Sequence, residues 1–440
     1  MNQQKVLKKL SELVAIRSIS TDKKYHKQIL EAAGFIKKEL INIGFQVNMF
    51  EQNNCPPLII ARYRSKNTSK NKKTIGVYAH YDIQPEDPID KWQTPPFQVT
   101  VQGNRIYGRG TADDKGHLIQ SIVAAEELVK NNSLTNDIVF LFEGEEESES
   151  LDFETLIKKH RRLLNDVDVF YILDSGMKDK GIPQIFYGLR GIAAFELSVR
   201  VGSADLHSGV YGNKVLNPVS VVSELISKIK DEKGKIGIPG FYDKMRERKN
   251  KEKELLSEYV LSNDRERKIA GVFELVGDHL SSKLYPSFDV NGIEGGYTGR
   301  GFKTVIPSEV IVKFSFRLVE DQKADEIKKS VTAFIESNLP KGVRYELKFL
   351  GGADPFFTDY DNLYVKRTKE ILTQVFGHKT LLNRSGGSIP ASEILQRIFN
   401  KPIIITGFTL PDENIHAPNE NIDIDMFFQG IEALKRIFCQ

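Results

Sequence analysis

His80 and Asp82 stand as a His-x-Asp pair directly after the apolar run 74–79. Asp113 and Asp114 lie in Gly108-Arg-Gly-Thr-Ala-Asp-Asp-Lys-Gly116, and Glu146 and Glu147 follow the apolar run 138–142. Asp174 closes the run 168–173, and His416 lies far downstream in Leu410-Pro-Asp-Glu-Asn-Ile-His-Ala-Pro418. Singly, each has an ordinary explanation: a His or Asp after a strand serves as a turn residue or helix cap. Glu145-Glu146-Glu147 alone reads as a solvated loop. Repetition of ligand-type residues at successive strand ends calls for more, because ligands of open α/β sheets collect outside the carboxyl ends of the strands. Oxygen and imidazole donors without thiolate suit Zn²⁺, Mn²⁺ or a related divalent ion.

The elements that must carry these residues alternate between strand and helix. Residues 58–63, 74–79, 138–142 and 169–173 read as strands, and 115–131 and 152–163 as helices. That alternation predicts an α/β sheet. From about Ile192 the pattern changes: 192–201 and 310–318 alternate as strands with one covered face, 343–350 is another strand, and helices are expected near 218–230 and 323–337. Residues 242–267 are dense in Lys, Arg and Glu and read as a solvated helical face. Helix at 361–376, strand at 402–406 and helix at 424–438 restore the α/β character. His416 belongs to this tail, so the expected organisation is a discontinuous first domain, 1–191 with 356–440, and an inserted α+β domain, 192–355.

At 440 residues, the chain exceeds one comfortable hydrophobic core. A formal net charge of +3, from 62 basic and 59 acidic residues, makes no electrostatic case for nucleic acid or an anionic membrane. Cys55 and Cys439 are the two cysteines, too few for a disulfide framework or a thiolate metal site. The first residues have helical rather than signal-peptide patterning, and no apolar run approaches the roughly 18 residues of a membrane span. The expected location is the cytoplasm.

Further motifs occur in order: His80-Tyr-Asp-Ile-Gln-Pro85, Glu143-Gly-Glu-Glu-Glu-Ser148, Tyr187-Gly-Leu-Arg-Gly191, Asp205-Leu-His-Ser-Gly209, Lys303-Thr-Val-Ile-Pro307 and Gly386-Gly-Ser-Ile-Pro390. With these the chain resembles the di-metal, aminopeptidase-like hydrolases that include cytosolic non-specific dipeptidase, carnosinase, acetylornithine deacetylase and succinyl-diaminopimelate desuccinylase, and most of all the dipeptidase branch. The resemblance implies two divalent ions per subunit, Zn²⁺ or Mn²⁺, bridged by Asp113. His80 and Asp174 would complete one ion, and Glu147 with His416 the other. Asp82 would orient His80, and Glu146 would be the general base. From the inserted lid and dimerisation domain, His207 would reach across a homodimer interface to the oxyanion. Arg317 would hold the substrate carboxylate, with Thr304 and Ser388 as substrate hydrogen-bond partners. The implied reaction is amide hydrolysis of a dipeptide or short peptide. N-acyl amino acid deacylation is the alternative, and a catalytically silent binding protein a third reading. Many dipeptidases of this branch carry a glutamate before Gly-Gly-Ser-Ile-Pro. Ser385 stands there instead, which admits a longer or N-blocked substrate.

Overall fold

The computed structural model describes residues 2–440 except 53, 54, 248, 259, 261 and 388. The chain divides into two compact units, residues 1–187, 358–383 and 389–440 in the first and residues 188–357 and 384–388 in the second.

The first unit is built on a mixed sheet. Its strands run in the order Gln46–Phe50, Leu58–Tyr63, Asp137–Glu143, Thr74–His80, Val169–Ile172, Ile403–Ile405 and Gln184–Leu189. The four in the middle are mutually parallel. Strands covered on both faces read as continuous apolar runs, and Thr74–His80 and Asp137–Glu143 are accordingly buried at every position. The helix Lys115–Lys130 is buried from Lys115 to Ala125. It starts against its own preceding loop: a Cβ on Gly116 would lie 2.0 Å from the Thr111 carbonyl oxygen, so only glycine fits. The C-terminal helix Ile424–Phe438 buries Phe427, Ile431, Leu434 and Ile437.

The second unit holds a four-stranded antiparallel sheet in the order Ser287–Gly295, Glu309–Leu318, Gly191–Arg200 and Arg344–Ala353. One face packs Phe195, Phe314 and Phe316 with Val221 and Leu225 of helix Pro218–Ile229 and Ile327, Val331 and Ile335 of helix Ala324–Asn338. The edge strand Ser287–Gly295 escapes the sequence reading, because it is exposed from Asp289 onward and bulged at Val290–Gly292. The charged stretch around 242–267 also differs in part from a solvated face. Helix Asn263–Ala270 buries nothing, but helix Asn250–Ser257 buries Glu252 and Leu256. Glu252 meets Arg246 and Arg384, and Arg384 also pairs with Glu320, a buried network that ties residues 384–388 into this unit. Among the described residues, no helix is long and apolar enough to cross a membrane.

Candidate metal centre

Three parallel strands end side by side, and each hands its next residues to one place. Thr74–His80 delivers His80 and Asp82, Asp137–Glu143 leads into Glu146 and Glu147, and Val169–Ile172 leads to Asp174. The loop before helix Lys115–Lys130 adds Asp113, and the loop between Ile403–Ile405 and Asn421–Asp423 adds His416, held with a left-handed φ of 61°. Two overlapping donor sets result. Ligand atoms of His80, Asp113 and Asp174 lie within 4.8 Å of one another, and so do those of Asp113, Glu147 and His416. Asp113 serves both: His80 Nε2 is 3.0 Å from its Oδ1, and His416 Nε2 is 2.8 Å from its Oδ2. His416 Nε2 also lies 3.2 Å from Glu147 Oε2.

The charges suit a divalent cation. Burial opposes protonation of His80, but its hydrogen bonds with Asp113 and Asp82 outweigh this and hold the imidazole well above its usual range. His416, bonded to Asp113 and Glu147, is pushed up to about 10. Asp113 is held well below the carboxylate range: burial works against its ionisation, but the two histidines prevail. Burial, then the charges of Asp113 and Glu146, push Asp174 well above its normal value. Metal uptake at such a cluster has to displace protons from it. Among the described residues, Glu147 Oε1 is buried without a hydrogen-bond partner. An all-oxygen-and-imidazole set with one shared carboxylate and an orphaned oxygen fits a pair of divalent ions.

Glu146 contributes no atom to either donor set. Burial above all, with help from Asp113, Asp82 and Glu147, pushes its carboxyl up to about 7 against the opposing pull of His80. A cavity of about 210 Å³ adjoins the ligands, lined by Asp113, Asp174, Met177, Thr409, Leu410 and Ile415 among others.

Behind the ligands stands a layer that sequence reasoning found only in part. Asp82, fully buried, lies 3.3 Å from His80 Nδ1, as an orienting carboxylate should. It also accepts the backbone N–H groups of Glu146 and Glu147, at 3.3 and 3.0 Å. Asp114 accepts the His80 backbone N–H at 3.1 Å and meets His117 Nδ1 at 2.6 Å. Because His117 Nε2 accepts from Phe408 N, its Nδ1 carries the hydrogen. Glu420 accepts from the N–H groups of Gly110, Ala112 and Asp113 at 2.9–3.0 Å and pairs with buried Arg109 at 2.7 Å. The doubled Asp113-Asp114 and the glycine-framed Arg109 were visible signals; nothing local distinguishes Glu420 from a solvated glutamate.

The remaining expected site residues belong to the second unit. His207 is exposed on a two-residue ladder with Val305–Ile306, beside Thr304, whose carbonyl accepts from Ser208 at 3.1 Å. His207 Nδ1 accepts from Gly209 N at 3.0 Å, which leaves Nε2 as the N–H donor. Arg317 is half-buried on Glu309–Leu318. Ser388 lies outside the described residues.

Residues 76–440 match the family model of peptidase family M20/M25/M40. The chain is 30% identical to the Cys-Gly metallodipeptidase DUG1 of Saccharomyces cerevisiae, over 97% of this chain and 93% of that one. It is 29% identical to the human Beta-Ala-His dipeptidase, over 100% of this chain and 90% of the relative. Among solved structures, the M20 family metallo-carboxypeptidase Sso-CP2 of Sulfolobus solfataricus superposes with a TM-score of 0.86 at 30% identity, covering 100% of this chain and 99% of that one. With a matching model over most of its length and full-length relatives of this kind, the chain belongs to peptidase family M20/M25/M40.

Proposed function

We propose that this protein is a metal-dependent dipeptidase that hydrolyses the amide bond of dipeptides or short peptides with a free C-terminal carboxylate. The observation that carries the reading is the pair of donor sets sharing Asp113, with the half-buried Glu146 carboxyl outside both. The dipeptidase activities for which the yeast and human relatives are named point the same way.

In this reading His80, Asp113 and Asp174 hold one divalent ion, and Asp113, Glu147 and His416 the other. Zn²⁺ and Mn²⁺ are the candidates, as both accept mixed carboxylate and imidazole sets. When bound, such a pair polarises the scissile carbonyl and brings the pKa of water near 7. Asp82 keeps the His80 ring in its ligating orientation and fixes the Glu146–Glu147 turn through two amides. A carboxylate oxygen of Glu146 takes the proton of the attacking water and returns it to the departing amine nitrogen. A carboxylate beside the donor sets but outside both is free to carry a proton in either direction. His207, through its Nε2–H, donates to the oxyanion. This His207 comes from the second subunit of a homodimer, with Thr304 alongside. Arg317 binds the substrate carboxylate, for which its planar fork is suited, and Ser388 adds a hydrogen bond. The setting we infer is cytoplasmic.

The test is a screen of free dipeptides, tripeptides and N-acyl amino acids on protein stripped of metal and reloaded with Zn²⁺ or Mn²⁺. Dipeptide turnover that depends on reloading is the expected result. Turnover confined to N-acyl amino acids, or undiminished in the stripped protein, overturns the reading.

A further inference from the structure

We propose that Arg190 is a second guanidinium of the carboxylate-binding site, sharing with Arg317 the recognition of a free C-terminal carboxylate. The inference rests on the dipeptidase reading above and extends it to a residue that reading leaves without a role.

Strand register brings the two arginines together. Ile192 is paired directly with Arg317 across Gly191–Arg200 and Glu309–Leu318. Ala193, Phe195, Phe316 and Leu318 turn into the core of the second unit, so alternation sends Ile192 and Arg317 to the opposite face. Arg190 stands just before strand Gly191–Arg200, close enough to Arg317 for the two charges to act on each other. It is anchored there by its backbone, whose N–H donates to the Ser385 carbonyl at 3.2 Å. Its guanidinium lies along the next residue: a Cβ on Gly386 would sit 3.0 Å from Arg190 Nη2. Glycine at 386 leaves the fork room.

What the fork lacks is a counter-ion. Among the described residues, Arg190 Nε is buried with no hydrogen-bond partner and no carboxylate comes within ion-pair distance of Arg190 or Arg317. The contrast within the same unit is sharp, since Arg384 is matched by Glu320 and Glu252, and Arg246 by the same two acids. Burial, and then the charge of Arg317, lower the proton affinity of Arg190, while Asp289 on the adjoining strand pulls the other way. Asp289 itself is exposed and accepts from Ser287 at 3.1 Å. Two neighbouring guanidiniums, one partly desolvated, repel each other and cost stability unless an anion joins them. A carboxylate has two oxygens and about four lone-pair sites. One arginine can take it bidentately, and the second can donate to the remaining lone pairs.

The experiment uses the metal-loaded enzyme with Arg190→Met and Arg190→Lys. Each is assayed on one dipeptide as free acid and as C-terminal amide, alongside thermal unfolding and calorimetric binding of N-acetylglycine and N-acetylglycinamide. For Arg190→Met, KM for the free acid should rise roughly ten- to a hundred-fold, the span of a charge-assisted hydrogen bond. Its kcat should change little, and the amide should be nearly unaffected. Arg190→Lys should recover part of the loss. Thermal stability of Arg190→Met should be unchanged or higher, since a repulsive charge has gone; a structural arginine would lower it. Equal losses on acid and amide, an unchanged KM, or a lowered unfolding temperature overturn the assignment. If the wild type cleaves no dipeptide, the dipeptidase reading fails separately. N-acetylglycine binding that weakens in Arg190→Met then still upholds the carboxylate site, and binding that is equal in both proteins overturns it.

Discussion

Asp82→Asn isolates what the layer behind the metal ligands contributes. The Asp82 side chain is fully buried and serves three groups at once: the His80 imidazole at 3.3 Å and the Glu146 and Glu147 amides at 3.3 and 3.0 Å. Asparagine keeps the shape but has one acceptor oxygen, so one of the two amides must face an NH₂ group. The loss of one charge-assisted hydrogen bond is worth about 1.5–3 kcal/mol, and the buried donor left over adds about 1–3 kcal/mol. The turn relieves that cost by moving, and Glu147 moves with it, while His80 loses its orienting charge. Disturbing such a supporting residue typically costs 10–100-fold in metal affinity. Because Asp82 touches one ligand from each donor set, both ions should weaken by about that factor. The assay is calorimetric titration of stripped protein with Zn²⁺ or Mn²⁺, resolving two binding steps. If one step weakens and the other stays at the wild-type value, Asp82 acts on His80 alone and the role of its amide bonds is refuted.

Asp113→Ala should lose both ions together with turnover, since Asp113 alone belongs to both donor sets; normal metal content by elemental analysis would sink the shared-ligand assignment. Glu146→Gln should retain metal and lower kcat by roughly 10²–10⁴, while Glu147→Gln should leak metal; exchanged phenotypes place the base one residue later. Inactive His207→Ala mixed with inactive Glu146→Gln should regain activity once subunits exchange, because one heterodimer site is then fully wild-type. Proven exchange without recovery puts His207 outside the partner's site. Metal affinity should climb from pH 6 to pH 8 with release of protons. His416, pushed up to about 10, and His80, raised likewise, hold protons in this window that an ion must expel, and falling pH returns them. Calorimetric affinities that do not change with pH contradict this.

The metal-site candidates were legible because they sit at ends. His80, Glu147 and Asp174 each close or follow an apolar run, Asp113 stands in a glycine-framed motif just before a helix, and the carboxyl ends of parallel strands gather on one side of the sheet. The α/β class followed from the same alternation. Harder to see were elements defined by exposure, such as Ser287–Gly295, whose outward residues give no alternating pattern. Glu252 was read as part of a solvated helix, yet it is buried against Arg384, 132 residues away.

Local order along the chain, on its own, determined which residues could ligate a metal and which strands would carry them, because periodicity and strand ends are properties of neighbours in sequence. Only the tertiary structure decided who stands behind them. Arg109 and Glu420 are separated by 311 residues and still form the buried pair that holds the Asp113 loop. A glutamate shows the same local signature whether it meets water or a guanidinium. The difference lies in burial, which makes an unpaired charge costly and therefore selects its partner, and burial exists only once distant segments have packed.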